Sequence, residues 1–176
     1  MLRNQPVEPG LHRRMALARE LFAAHGAALA ADPQVARLLA EYHQAILRSH
    51  GLMRGEEAFA ACADCAGEDG GASCCFQGAE EWYGELLLLI NLLLGVELPG
   101  RGEGGQDCFF NSPQGCRLAA RFAICLNFFC PQLGERLGEA KLLALRQAVG
   151  RELLAGEALE GALRRWLAAR GVRASA

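Results

Sequence analysis

Eight cysteines, all within residues 62–130, constrain this chain more than any other feature. Cys62, Cys65, Cys74 and Cys75 form one group, and Cys108, Cys116, Cys125 and Cys130 a second. The flanks 1–61 and 131–176 contain none. Thiols gathered in this way imply metal binding, disulfides or redox chemistry. The stretch 55–79 around the first group is small, acidic and rich in glycine. It cannot bury enough apolar surface to order itself. A metal ion would order residues 62–78, because ligand bonds replace the missing core.

The redox compartment separates these readings. Residues 1–10 are polar, are broken by Pro6 and Pro9, and have no apolar stretch of the secretory kind. The expected location is therefore cytoplasmic, where thiols stay reduced and a framework of structural disulfides is disfavoured. The most apolar run, 86–94, is interrupted by Asn91. It falls short of the ~20 residues that span a bilayer and reads as a buried helix. The net charge of −2 is unevenly spread, with eleven acids and one base, Arg101, between residues 55 and 107. Phosphates would be repelled there, so neither nucleic acid nor a membrane is expected as a partner. A redox or protein partner of unknown identity is. Arg164, Arg165, Arg170 and Arg173 read as a solvated helix face before they read as a docking face.

The chain's 176 residues suffice for one domain with a core. Leu and Ala dominate the apolar residues, which favours helices. Leu11, Met15, Ala18, Phe22, His25 and Leu29 recur at helical spacing, and so do Val35, Leu38, Leu39, Tyr42 and Ile46. Asp32-Pro33 between them reads as an N-cap followed by proline at the first helical position. A third helix is expected from Glu80-Glu81 to Gly95, carrying Trp82, Leu86, Leu89, Ile90 and Leu93. A fourth is expected from a Ser112-Pro113 cap to about Phe128, closed by Pro131. Two more should span about 133–150 and 153–170. The expectation is an all-α single domain over 1–176, with about six helices. It comprises a helical hairpin at 11–50, a cysteine-rich metal-binding region at 55–131 and C-terminal helices at 133–170. No strand alternation, GxGxxG or phosphate loop is present.

Spacing constrains which sulfurs can meet. Two residues lie between Cys62 and Cys65, which lets one loop present both to one ion. The same spacing serves thioredoxin-like redox pairs, but those sit beside a βαβ pattern that is absent here. Nine residues separate Cys116 from Cys125. On an ideal helix that is half a turn around and ~13.5 Å along the axis. On a continuous helix over 113–128 the two could not share an ion; otherwise Cys116 precedes the helix. Cys125 and Cys130 converge only if the backbone bends between 127 and 129. Adjacent Cys74 and Cys75 point to opposite sides of an extended segment, so one ion would take one of them. A single site with spare thiols is favoured slightly over two interleaved sites. All-cysteine ligation suits an iron–sulfur cluster or zinc. Cys130-Pro131 is similar to the Cys-Pro ending of bacterial ferredoxin motifs, and Phe109, Phe110, Phe128 and Phe129 would give a cluster a dry shell.

The order C-x2-C, C-C, C-F-x5-G-C-x-L and x-x-R-x3-C-x2-F-x-C resembles the zinc- or iron-chelating domain family of YkgJ-like, CxxCxCC proteins. The likeness covers about 62–130, under half the chain. It implies that Cys62, Cys65, Cys74, Cys75, Cys108, Cys116, Cys125 and Cys130 are the metal-binding cysteines. Gly115 matches the family's glycine and Arg121 its arginine. Where the family carries a tyrosine and an Arg-Pro pair, this chain reads Arg117 to Ile124, one residue shorter. The hairpin at 11–50 lies outside the motif. The resemblance does not choose the metal.

Other residues offer less. His25 lies on an apolar stripe and reads as a core histidine. His43 and His50 share a helix face but lack the Glu-x-x-His partner of di-iron sites. Glu80 and Glu81 suit a helix N-terminus. Ser73 has no partner histidine at a hydrolase spacing. Trp82 and Trp166 read as core or helix-contact residues, and Asn91 as either paired in the core or facing the cysteine segment. The leading expectation is a protein that holds an iron–sulfur cluster for electron transfer or redox sensing. The alternatives are a structural zinc module and a thiol–disulfide oxidoreductase using Cys62 and Cys65. The residues name a metal site and no reaction.

Overall fold

A helix ends where its backbone finds a better partner, and glycine, proline and one buried asparagine set most of the ends here. The computed structural model describes residues 9–56, 58, 75–102, 108–112 and 115–172. Among them are six α-helices: α1 Pro9–Ala31, α2 Pro33–Gly55, α3 Glu85–Leu93, α4 Ala123–Asn127, α5 Pro131–Leu137 and α6 Glu139–Ala168. A 3-10 turn, Ala79–Trp82, precedes α3. No strand element occurs among the described residues, so the all-α expectation holds.

Asp32 alone separates α1 from α2. Its carboxylate accepts from Gln34 N and Val35 N at 3.0 and 3.1 Å, with Pro33 at the first helical position. Each arm then takes its own main partner: α1 packs on α3, and α2 on the long α6. Apolar on nearly every side, α3 is enclosed, with Leu86, Leu88, Leu89 and Ile90 all buried. It meets Leu11, Met15 and Leu29 of α1, Val35, Tyr42 and Ile46 of α2, and Leu159, Leu163 and Leu167 of α6 in one cluster. A second, smaller cluster gathers Met53, Ala58, Leu126, Leu133, Leu137, Leu145 and Val149, where the end of α2 meets α4, α5 and the first half of α6.

Four boundaries differ from the sequence expectation. The third helix does not begin at Glu80-Glu81, which lie in the 3-10 turn. Glu81 there pairs with Arg14 of α1 at 2.6 Å, and Arg14 also donates to the Tyr83 carbonyl at 2.8 Å. The fourth helix is only the five residues of α4. Pro131 opens α5 instead of closing a helix, with Cys130 as N-cap. The C-terminal helices break at Gly138, whose φ of 75° suits glycine, and not near residue 151. Gly150 stays helical because Ala148, Val149 and Glu152 are buried around it. Their burial outweighs the roughly 1 kcal/mol that an interior glycine costs. Phe22 leaves the α1 stripe at 40% exposure and lies over Gly26, while His25 meets the Trp166 ring edge-on.

Candidate functional site

The described residues between 108 and 122 have little regular structure, so their backbone hydrogen bonds go elsewhere. Cys108 N donates to the Cys75 carbonyl at 2.7 Å, which joins the two cysteine groups through the main chain. Asn111 N then donates to Cys108 O at 2.8 Å, and Arg117 N to Phe110 O at 2.9 Å. The chain folds back on itself and returns Cys116 beside Cys108. Ser112 and Gly115 close this loop through paired backbone bonds of 3.0 and 2.9 Å, and Gly115 takes a φ of 101°. Ser112 thus closes a loop where a helix cap was expected. Arg117 pins the fold-back by donating to the carbonyls of Phe109 and Arg101 at 2.5 and 2.9 Å.

Residues 118–120 run unhelical because Asn91 captures them. This side chain is 0% exposed on α3. Its Oδ1 accepts from Ala119 N and Ala120 N at 2.9 and 3.0 Å. Its Nδ2 donates to the carbonyls of Ala120 and Leu87, both at 2.9 Å. All four bonding positions of the amide are filled. The expected continuous helix over 113–128 is thereby replaced. Cys116 precedes the helix, Phe122 is the N-cap of α4, and Cys125 lies within α4. The half-turn argument that separated Cys116 from Cys125 no longer applies. Both alternatives for Asn91 are realised at once: it is paired in the core and it faces the cysteine segment.

Cys75, Cys108, Cys116 and Cys125 consequently stand on one apolar wall of the first cluster. Tyr83, 1% exposed, donates its hydroxyl to Cys125 Sγ at 3.8 Å. The Tyr83 ring packs on Phe110 at 4.9 Å, Phe110 on Phe109 at 5.4 Å, and Trp82 on Phe122 at 5.5 Å. Burial pushes the thiols of Cys108, Cys116 and Cys125 up. The Phe110 backbone N–H opposes this at Cys108, Arg121 at Cys116, and Tyr83 at Cys125. Negative charge on Cys75 would raise all three further. These thiols are therefore protonated at neutral pH, and a cation would have to displace their protons.

Cys130 lies elsewhere. It packs against the second cluster, and its Sγ accepts from Leu133 N at 3.4 Å as the cap of α5. The chain bends after Asn127, where Phe128 is extended, and the bend leads Cys130 into that cluster. Cys62, Cys65 and Cys74 lie outside the described residues, as does most of the 62–78 segment. Among the described residues, no three His, Cys, Asp or Glu side chains stand close enough to hold a metal ion. Of the expected dry shell, Phe109 and Phe110 are buried, Phe128 is 45% exposed, and Phe129 packs against the second cluster. Trp82, Tyr83 and Phe122 complete the wall instead; the Trp82-Tyr83 pair was the available signal. His43 is exposed, and burial, with Arg121 and Arg54, pushes half-buried His50 down to about 4.

Sequence reasoning missed the reach of Arg121. Its positive charge acts on Cys116 and Cys125 and also on Tyr42, His50 and Glu152 at the α2–α6 interface. No family model, curated protein or solved structure matches the chain. Among the described residues, no helix is long and apolar enough to cross a membrane.

Proposed function

We propose that this chain is a metal-binding protein whose cysteine thiolates hold an iron–sulfur cluster for electron transfer or redox sensing, as its likeness to the CxxCxCC proteins suggests. One observation carries the reading: cysteines from distant parts of the chain, Cys75, Cys108, Cys116 and Cys125, share one apolar wall. Soft thiolates suit such a cluster, and the aromatic wall of Tyr83, Phe109, Phe110 and Phe122 suits a dry site. The described residues do not complete a ligand set alone, and Cys62, Cys65 and Cys74 are the remaining donors. When bound, the cluster would supply one-electron chemistry. The chain's own residues would tune it. Tyr83 donates a hydrogen bond to the Cys125 sulfur, Arg121 offsets negative charge at Cys116 and Cys125, and the rings exclude water.

A structural zinc in an interaction module is the second reading. It is favoured by the cysteine segment's shortage of helix, which an ion would staple. A thiol–disulfide oxidoreductase is less well supported. Its pair, Cys62 and Cys65, lies outside the described residues, and the thiols that are described, Cys108, Cys116 and Cys125, are pushed up, away from the depressed values of reactive thiols. Anaerobic purification followed by a visible spectrum and metal and sulfide analysis decides among them. Brown protein containing iron and sulfide supports the cluster. Colourless protein with stoichiometric zinc selects the second reading, and metal-free protein with a reversible disulfide the third.

A further inference from the structure

Away from the cysteines, the α2–α6 interface encloses a carboxyl group that the proposed function does not use. Glu152 of α6 and Ser49 of α2 are both 0% exposed. Ser49 Oγ donates to the Ile46 carbonyl at 3.0 Å and is also hydrogen-bonded to Glu152 Oε2. A hydroxyl has one proton, and a carbonyl oxygen only accepts. With the Ser49 proton on Ile46, the second hydrogen bond needs a proton from the carboxyl group. Glu152 Oε1 has no hydrogen-bond partner among the described residues. A buried carboxylate in that position would be costly, and a neutral acid much less so.

The groups facing Glu152 reinforce this. From α2 come Tyr42, 2% exposed, and Ser49; His50 follows Ser49 in the chain and feels the same Arg121 charge. The Tyr42 ring lies 3.1 Å from where a side chain would begin at Gly156, one turn beyond Glu152. Burial keeps Tyr42 protonated and His50 neutral at pH 7. From the 115–122 segment comes Arg121, the cation that acts on Glu152. On α6 itself, Glu160 adds negative charge near Tyr42. Burial pushes Glu152 up from the ordinary value of 4.5; a Ser49 hydroxyl turned to donate to the carboxylate would oppose this first, and the Arg121 charge opposes it next.

We propose that Glu152 is a proton-loaded latch. As a neutral acid it ties α6 to α2 through Ser49, and on releasing its proton to solvent it gives up that donor and loosens the tie. The folded chain keeps this proton at a pH where the unfolded chain has lost it. Glu152 therefore contributes stability that is full below about pH 4.5 and declines as pH rises through the raised folded value. His50 slopes the other way, so the difference between wild type and Glu152→Gln isolates the latch.

The test is infrared spectroscopy of the full chain across pH, with thermal melts alongside. As pH rises through the range where an ordinary glutamate ionises, wild type is expected to retain a protonated-carboxyl band that E152Q lacks. E152Q is also expected to lose less stability than wild type as pH rises from there. In Arg121→Gln the band should persist to higher pH than in wild type, because the cation that favours the carboxylate is gone. Absence of the band from wild type, or its survival in E152Q, overturns the neutral acid. An unchanged pH of band loss in R121Q overturns the part given to the Arg121 charge. Neither outcome bears on whether the cysteines bind metal.

Discussion

Helix α6 and the 108–130 segment satisfy their backbones in opposite ways. Over its 30 residues α6 closes its own hydrogen bonds and is free to use its side chains for packing. Leu159, Leu163 and Leu167 bury completely in the first cluster, and Leu145 and Val149 almost completely in the second. Among the described residues of 108–130 only the five of α4 are helical. The rest borrows partners: Asn91 for residues 119 and 120, the Arg117 guanidinium for the carbonyls of 101 and 109, and Glu80 for Phe109 N at 3.4 Å. Both regions bury apolar side chains, Phe109, Phe110, Leu118 and Ala120 among them, but the frame closes its own backbone hydrogen bonds while the cysteine segment depends on a few polar side chains for its partners. A region held that way is the one whose order a bound metal can change.

Substitutions on each side should separate the two. Leu163→Ala, in the fully buried stripe of α6, should cost roughly 2–5 kcal/mol and lower amide protection throughout the chain. A loss confined to α6 would mean that the frame is not one cooperative unit. Asn91→Ala should cost about 2–3 kcal/mol, because it strands buried backbone groups at 119 and 120. Here hydrogen exchange should speed up first over 115–125, with α1 and α6 protected. Loss of protection at the same rate in all three would erase the distinction. The smallest effect concerns His50, whose folded value of about 4 lies below the ordinary 6.5. The folded chain binds fewer protons than the unfolded one, so this stability is full above about pH 6.5 and is lost as pH falls towards 4. His50→Gln should flatten the acid side of the melting-temperature profile by about 1 kcal/mol or less. An unchanged acid limb would mean that His50 already protonates normally in the fold.

How much of this was legible in the sequence follows the same division. The Leu11–Met15–Ala18 stripe and the Asp32-Pro33 cap were readable because the forces that shape α1 and α2 act within a few residues. Leu118, Ala119, Ala120 and Arg121 also have high helix propensity, and a helix there was the natural reading. They are not helical because Asn91, 28 residues before Ala119, offers their backbone three hydrogen bonds in the core. No local window contains that competitor. The conclusion that Cys116 and Cys125 face opposite sides fell with the helix. Gly138 and Gly150 make the same point: one takes a positive φ between α5 and α6, the other lies inside a packed helix. The motif names all eight cysteines but not which of them meet, so the grouping of Cys75, Cys108, Cys116 and Cys125 was not legible in it. Nor was the placement of Cys130 with the second cluster, because it depends on the bend after Asn127.

The central claim is that metal orders the cysteine segment while the helical frame stands without it. Hydrogen exchange measured segment by segment, on anaerobically metal-loaded protein and on the same protein after chelation, tests this most directly. Chelation is expected to remove protection over 75–78 and 108–125 while α1 and α6 keep theirs. Equal protection in the loaded and stripped forms over 108–125, in protein shown to have lost its metal, would contradict it.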